Sequence, residues 1–189
     1  MTQRKAHLLD RLTNPGELER AWRDVLAHYA KDRIPQELRA FDRKRDGEIR
    51  RLAVTLRERT FIPEPACLIF IPKPNHPEER RPIALVRPED RVVLTALNRM
   101  LSPLFERQFV PSSYAYRPGK GAWAAIERVT ACLRQGLVHV ASGDIDDFLA
   151  NIDRDHLMRE IRRTTFEQPI LDLLETYLHV AGKPINIPT

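Results

Sequence analysis

Cysteine is scarce: two among 189 residues, Cys67 and Cys132, and neither sits in a CxxC pair. A disulfide framework is thereby excluded, and both thiols read as reduced packing residues. Glycine is scarce too, at seven residues, with no Walker loop, GxSxG, HExxH or cluster of Cys and His. These absences remove P-loop nucleotide hydrolysis, the α/β-hydrolase nucleophile and zinc-protease chemistry. The longest apolar run covers only residues 66–71, far too short to span a bilayer. Arg4, Lys5, His7, Asp10 and Arg11 interrupt the first twelve residues, which is unlike a secretory leader. No short word repeats, so a solenoid is excluded. The expectation is a cytoplasmic chain with no membrane segment.

What is present is a globular composition, 42% hydrophobic and 30% charged, rich in proline at 15 residues, with a net charge of +5. The total hides a gradient. Residues 1–60 hold 15 basic against 10 acidic side chains, residues 61–120 hold 9 against 6, and residues 121–189 hold 7 against 10. A basic front and an acidic back suit one part that meets polyanion and another that gathers carboxylates; helical surfaces that simply differ in charge are the alternative.

Asn14-Pro15-Gly16-Glu17 combines a capping residue, a first-turn proline and an acid, and predicts a helix start. Leu18, Ala21, Trp22, Val25, Leu26 and Tyr29 then recur at helical spacing as far as Lys31, and Ile34-Pro35 ends the segment. A second amphipathic helix is predicted over 46–59, with Ile49, Leu52, Ala53 and Leu56 on one face and Arg50, Arg51, Arg57 and Arg59 elsewhere. Taken alone, those arginines read as a solvated face. The texture changes at Phe61, where Pro63 and Pro65 exclude a helix. Residues 66–71 read as a buried strand, 73–80 as a turn and 81–86 as a returning strand. This hairpin carries Lys73, Arg80 and Arg81 at its tip, and Pro82 restricts the second strand to an edge or a strand start. A long helix follows Pro88, its core stripe running from Val93 to Leu104. Then come an irregular loop at 112–120, a helix over 121–133, an apolar strand over 137–145, and helices over 154–164 and 169–180. The fold class is α+β.

Three places concentrate chemistry. In Gly143-Asp144-Ile145-Asp146-Asp147-Phe148, an acid at the end of a buried strand calls for a positive partner, and a divalent cation is a natural one. Alternation puts Asp144 and Asp146 on one face and Ile145 on the other. The competing view is an acidic loop capping the next helix, with Asp153 as its N-cap. The Lys73, Arg80 and Arg81 tip would suit a triphosphate, although basic hairpin tips are common on protein surfaces. Ser113-Tyr114-Ala115-Tyr116-Arg117-Pro118-Gly119-Lys120-Gly121 mixes aromatics and cations as nucleic-acid surfaces do; a turn with both tyrosines packed inward fits equally well.

Taken in chain order, these segments resemble bacterial reverse transcriptases of the group II intron type, a lineage with intron-encoded, diversity-generating, CRISPR-associated and anti-phage members. The resemblance rests on Phe61-x-Pro63-x-Pro65, Ile-Pro-Lys-Pro-Asn at 71–75, Arg-Arg-Pro-Ile at 80–83, Asp-Arg-Val-Val-x-x-Ala-Leu at 90–97, the loop at 113–121 and Gly-Asp-Ile-Asp-Asp-Phe at 143–148. It implies a right-hand polymerase: a helical N-terminal extension over 1–60, β-hairpin fingers with template-side helices over 61–136, and a partial palm over 137–189. It further implies Asp144 as the catalytic carboxylate that, with the Ile145 carbonyl, binds two magnesium ions. By the same resemblance Lys73, Arg80, Arg81, Phe148 and Leu149 face the incoming dNTP, and Tyr116, Arg117 and Lys120 face the template. The expected partners are an RNA template, a DNA primer or product, dNTPs and a polypeptide carrying the rest of palm and thumb. A non-catalytic RNA-binding or regulatory module derived from such an enzyme is the alternative.

Three departures from the family stand out. The hairpin turn, often short and glycine-containing in relatives, is His76-Pro77-Glu78-Glu79. Leu149 stands where relatives carry a bulky aromatic that excludes ribonucleotides, which implies relaxed sugar discrimination. The Tyr-x-Asp-Asp segment that supplies the remaining carboxylates is not among these 189 residues. On this resemblance the polypeptide alone is expected to be inactive.

Overall fold

The computed structural model describes residues 7–74, 76–145, 148, 151–165 and 167–180, with the side chain of Lys73 outside the description. The described chain is α+β, helices together with a single two-stranded antiparallel sheet. Its order is α1 (Leu8–Leu12), α2 (Pro15–Ala27), a 3-10 turn (Lys31–Arg33), α3 (Gln36–Arg43), α4 (Arg45–Arg57), β1 (Cys67–Lys73), β2 (His76–Leu85), α5 (Pro88–Phe105), α6 (Ala122–Arg134), α7 (Arg154–Thr164) and α8 (Gln168–Val180).

The Asn14 signal works as its chemistry dictates. Asn14 Oδ1 accepts from the Gly16 N–H at 2.8 Å, and Pro15 occupies the first helical position, where its missing N–H costs nothing. The apolar stripe of α2 then lies against α5 and α4. Trp22 is fully buried there, its ring tilted against Phe41 at 4.6 Å and its Nε1–H donated to Asp42 Oδ1 at 2.8 Å. The α3 helix that brings Phe41 and Leu38 inward was not anticipated from the sequence, which reads as a break after Ile34-Pro35. One core joins α1 to α5, through Leu18, Leu52, Val92, Val93 and Leu97 among others, and Ile170 of α8 closes it.

The hairpin is where expectation and structure part over packing. The two segments pair as an antiparallel hairpin, with Cys67 opposite Leu85, Ile69 opposite Ile83 and Ile71 opposite Arg81, before the register shifts between Pro72 and Lys73. The turn expected over 73–80 is shorter, because His76 to Arg80 already belong to β2 and Arg80 pairs with Pro72. Pro82 is tolerated because a two-stranded ribbon has only edges. The first strand is not buried, however: Phe70 is 56% exposed and Cys67 is exposed rather than a packing residue. The reason is that β1 and β2 pack chiefly on each other, so without a full third layer the ribbon is at most half-buried, as at Leu68, Ile71, Ile83 and Leu85.

The root of the hairpin is pinned instead. Glu64 on the way in forms an ion pair with Arg87 on the way out, and Arg91 Nε donates to the Val86 carbonyl at 2.8 Å. Asp90, only 2% exposed, accepts from the Glu64 N–H at 3.4 Å and from the Tyr177 hydroxyl of α8 at 2.9 Å. The hairpin therefore projects from a helical body that grips both of its ends.

The strand predicted over 137–145 is absent. Those residues run without helix or sheet, and Leu137, Val138, Val140 and Ile145 are exposed. A strand needs a ladder partner, and none lies among the described residues. Likewise α6 has no buried residue, and Trp123, Ile126, Val129 and Leu133 face solvent. Among the described residues, no helix is long and apolar enough to cross a membrane.

Candidate functional site

The acidic segment follows Gly143. Asp144 is exposed, and its Oδ1 accepts from the N–H of its neighbour Ile145 at 3.0 Å. Ile145 and Phe148 are exposed as well, while Asp146, Asp147 and Leu149 lie outside the described residues. Asp153 caps α7: its Oδ1 accepts from the His156 N–H at 2.8 Å, and that bond is the leading reason its carboxyl sits below the ordinary range. The capping role and the candidate metal role thus fall on different acids of the same cluster.

At the hairpin, Arg80 and Arg81 are exposed and have no side-chain partner among the described residues. Pairing puts Arg81 opposite Ile71 and Arg80 opposite Pro72, so alternation sends the two guanidiniums to opposite faces of the ribbon. Beyond them, ligand atoms of His76, Glu78 and Glu79 lie within 4.8 Å of one another, a donor group that the sequence shows only as an acidic turn. His76 Nδ1 is 3.4 Å from Glu78 Oε1, so the group is already partly paired.

The loop between α5 and α6 is built around Arg117. Its Nε donates to both Glu106 oxygens at 3.1 Å, its Nη2 to Glu106 Oε1 at 2.6 Å, and its Nη1 to the carbonyls of Val110 at 2.8 Å and Ser113 at 2.7 Å. The hydrogen bonds from Arg117 hold the Glu106 carboxyl below its ordinary value, and Glu106 in turn raises the Arg117 guanidinium. The guanidinium also lies over Phe109, 5.2 Å from the ring centroid. Lys120 Nζ donates to the Pro111 carbonyl at 2.9 Å and lies over Tyr114. Tyr116 alone points fully outward, from a backbone with φ of 57°.

Among the described residues no hydrogen bond or ion pair connects Asp144 to the hairpin or to this loop. The cleft between α1, α4 and α8, about 200 Å³ and lined by Leu9, Leu12, Leu56, Phe61 and Leu173, contains none of the predicted site residues. Among the described residues the candidates therefore fall at three stations, exposed at Asp144, Arg80, Arg81 and Tyr116 and turned inward at Arg117, and no hydrogen bond or ion pair joins one station to another.

No protein-family model matches the chain. Similarity to curated proteins is low but repeated. The chain is 28% identical to Nuclear intron maturase 1, mitochondrial, of Arabidopsis thaliana over 97 residues, which are 51% of this chain and 14% of that protein. It is 29% identical to Protein YkfC of Escherichia coli over 118 residues, 60% of this chain and 30% of that one. It is 23% identical to the Group II intron-encoded protein LtrA of Lactococcus lactis over 133 residues, 70% of this chain and 22% of that one. The chain thus spans less than a third of the length of these relatives. The similarity to intron maturases and to a group II intron-encoded protein supports a reverse-transcriptase-related lineage for this chain.

Proposed function

We propose that these residues form the fingers and the beginning of the palm of an RNA-directed DNA polymerase, which adds dNTPs to a primer on an RNA template. The observation that carries this reading is the projecting hairpin, gripped at its root, with two exposed guanidiniums near its tip that have no side-chain partner among the described residues. An exposed charged fork with no partner among the described residues is available to an external polyanion, and a triphosphate matches it. Lys73 at the end of β1 adds a point charge by sequence. Phe148 and Leu149 follow Asp144 on the nucleotide side, and residues 113–121 take the template side.

Asp144 offers a hard, exposed oxygen donor, which fits magnesium. Asp144 and the Ile145 carbonyl would hold the metal, which when bound supplies activation of the primer 3′-hydroxyl and charge neutralisation at the triphosphate. One described carboxylate is too few for two ions, so further acids must come from elsewhere in the palm. The bare segment 137–145 and the uncovered apolar face of α6 support the same need: both suit a polypeptide that brings partner strands and a second apolar layer. The reading places the protein with nucleic acid in the cytoplasm.

Primer extension on a homopolymer RNA template tests it. The chain alone should extend nothing. With a polypeptide that supplies Tyr-x-Asp-Asp and the thumb, magnesium-dependent extension should appear and vanish in Asp144→Ala. Extension that survives Asp144→Ala refutes the assignment. The alternative, an RNA-binding module without catalysis, is favoured by the solvent-exposed setting of Asp144 and predicts salt-dependent RNA binding with no extension in either condition.

A further inference from the structure

The resemblance puts Arg117 against the template, yet the structure leaves that side chain little to give. A guanidinium has five N–H donors, and four of them are taken up by Glu106, Val110 and Ser113. The side chain is 6% exposed and its Cζ lies over the Phe109 ring. Lys120 likewise turns inward, to Pro111 and Tyr114. Both cations of the loop hold the loop.

Between them sits Tyr116, whose situation is the reverse. It is fully exposed, so its ring gains nothing from packing. Its φ of 57° lies in the left-handed region, which disfavours any residue with a Cβ. Such a conformation persists when its surroundings over-determine it. Here the Arg117 side chain, one residue on, ties Val110 and Ser113 on the incoming arm of the loop to Glu106 at the end of α5. An exposed ring on a braced, strained backbone is an arrangement made for something outside the chain, and every base has a face that can stack on it.

We infer that Arg117 is a positioning residue that holds Tyr116 out as a stacking platform for an unpaired base of single-stranded RNA, and that Arg117 itself grips no phosphate. This rests on the template-side reading of the loop and divides the labour within it. Stacking and phosphate contact differ in a measurable way. A phosphate contact releases a counterion and contributes to the salt slope of binding, whereas stacking does not.

The test is fluorescence anisotropy of a labelled single-stranded RNA with the full chain, across a salt series, paired with amide hydrogen exchange over residues 106–120. Tyr116→Gly, which keeps the left-handed backbone accessible, should weaken binding roughly 5- to 150-fold with an unchanged slope. Tyr116→Phe should bind as the original does. Arg117→Gln should speed exchange across the loop and weaken binding by a similar factor, again without a change of slope. The double variant should bind no more weakly than the weaker single variant, because the two residues act through one contact. A slope that falls by about 0.7 in Arg117→Gln would mean a phosphate contact and overturn the proposal. So would undiminished affinity in Tyr116→Gly, or additive losses in the double variant. Full affinity in Tyr116→Gly alongside primer extension by the completed enzyme defeats this inference alone. A chain that binds no RNA defeats the template-side reading along with it.

Discussion

The Tyr177 hydroxyl of α8 donates to the Asp90 carboxylate of α5 at 2.9 Å, across 87 positions of sequence. Asp90 also accepts from the backbone of Glu64 where the chain enters the hairpin. One buried carboxylate therefore ties the root of the hairpin to the last described helix.

That placement has a pH signature. Burial raises the Asp90 carboxyl above its ordinary 3.8, outweighing the hydrogen bond from Tyr177 and the charge of Arg87, which pull it down. The folded state then keeps its proton to a higher pH than the unfolded chain. Asp90 accordingly favours folding most below about pH 3.8, and that contribution is lost as pH rises through the folded value. Asp90→Asn cannot titrate. Urea midpoints should shift in favour of Asn between about pH 4 and about pH 7. Tyr177→Phe should cost about 1–3 kcal/mol near neutrality, because the buried carboxylate loses a donor, and less in acid. A pH-independent gap between Asp90→Asn and the original would refute the account.

Trp22 gives a second handle. Its ring is fully buried and its N–H is bonded to Asp42, while Trp123, the other tryptophan, is 80% exposed. Trp22→Ala should cost about 3–5 kcal/mol through the cavity it leaves, and Trp22→Phe about 1 kcal/mol through the lost hydrogen bond. Trp22→Phe should also remove the blue-shifted part of the emission and leave that of solvated Trp123. Emission that stays blue-shifted would contradict the assignment.

The α1 helix depends on a residue far along the chain. Glu167 Oε1 accepts from the Leu8 N–H at 2.7 Å and Oε2 from the Leu9 N–H at 3.1 Å, satisfying donors that a helix start leaves free. Glu167→Ala should destabilise by about 1–2 kcal/mol, and Glu167→Gln by less, since one oxygen acceptor remains. Amides of residues 8–12 should exchange faster in Glu167→Ala than those of α2. Equal rates in both helices would remove the cap from the account.

These contacts mark where the sequence can be read and where it cannot. Asn14-Pro15 and the stripe of α2 are local signals, so the helix and its capping follow from neighbouring residues. The helix α3 escapes because Leu38 and Phe41, one turn apart, are its only buried residues among charges, too short a period to separate from a loop. The apolar run at 137–145 has strand composition, but a ladder needs a partner that composition cannot supply. The role of Arg117 is hidden for another reason: Glu106, Val110 and Ser113 lie 4 to 11 positions away in a segment without period. The pairing of Asp90 with Tyr177 is a fact of tertiary packing alone.

On the polymerase reading proposed above, sugar choice is a further test. Leu149 lies outside the described residues, and its role rests on its place five positions after Asp144. Leucine is smaller and more flexible than the aromatic that the resemblance leads one to expect there, so on that reading a 2′-hydroxyl would meet less obstruction. Leu149→Phe should raise the ratio of dNTP to rNTP incorporation. Identical ratios in the two forms would show that position 149 does not gate the sugar.

The ribbon geometry separates the two arginines of the tip. Arg81 shares a face with Ile69 and Ile71 through its pairing, and Arg80 lies on the other face with Phe70 and Pro82. A triphosphate held against one face can be gripped by one of these forks and not by both. The family resemblance matches the grip to Lys73 and Arg81, with Arg80 as the near alternative to Arg81. Arg81→Ala should therefore weaken binding of a fluorescent dNTP roughly 10- to 100-fold, the scale of a lost charged hydrogen bond, while Arg80→Ala changes it by less than about 3-fold. Hydrogen bonds between the strands use backbone groups, so neither substitution should alter the hairpin's amide protection, and a loss of protection would assign the effect to folding. If Arg80→Ala carries the larger loss, the opposite face of the ribbon meets the nucleotide, and the hairpin closes with the other side towards Asp144.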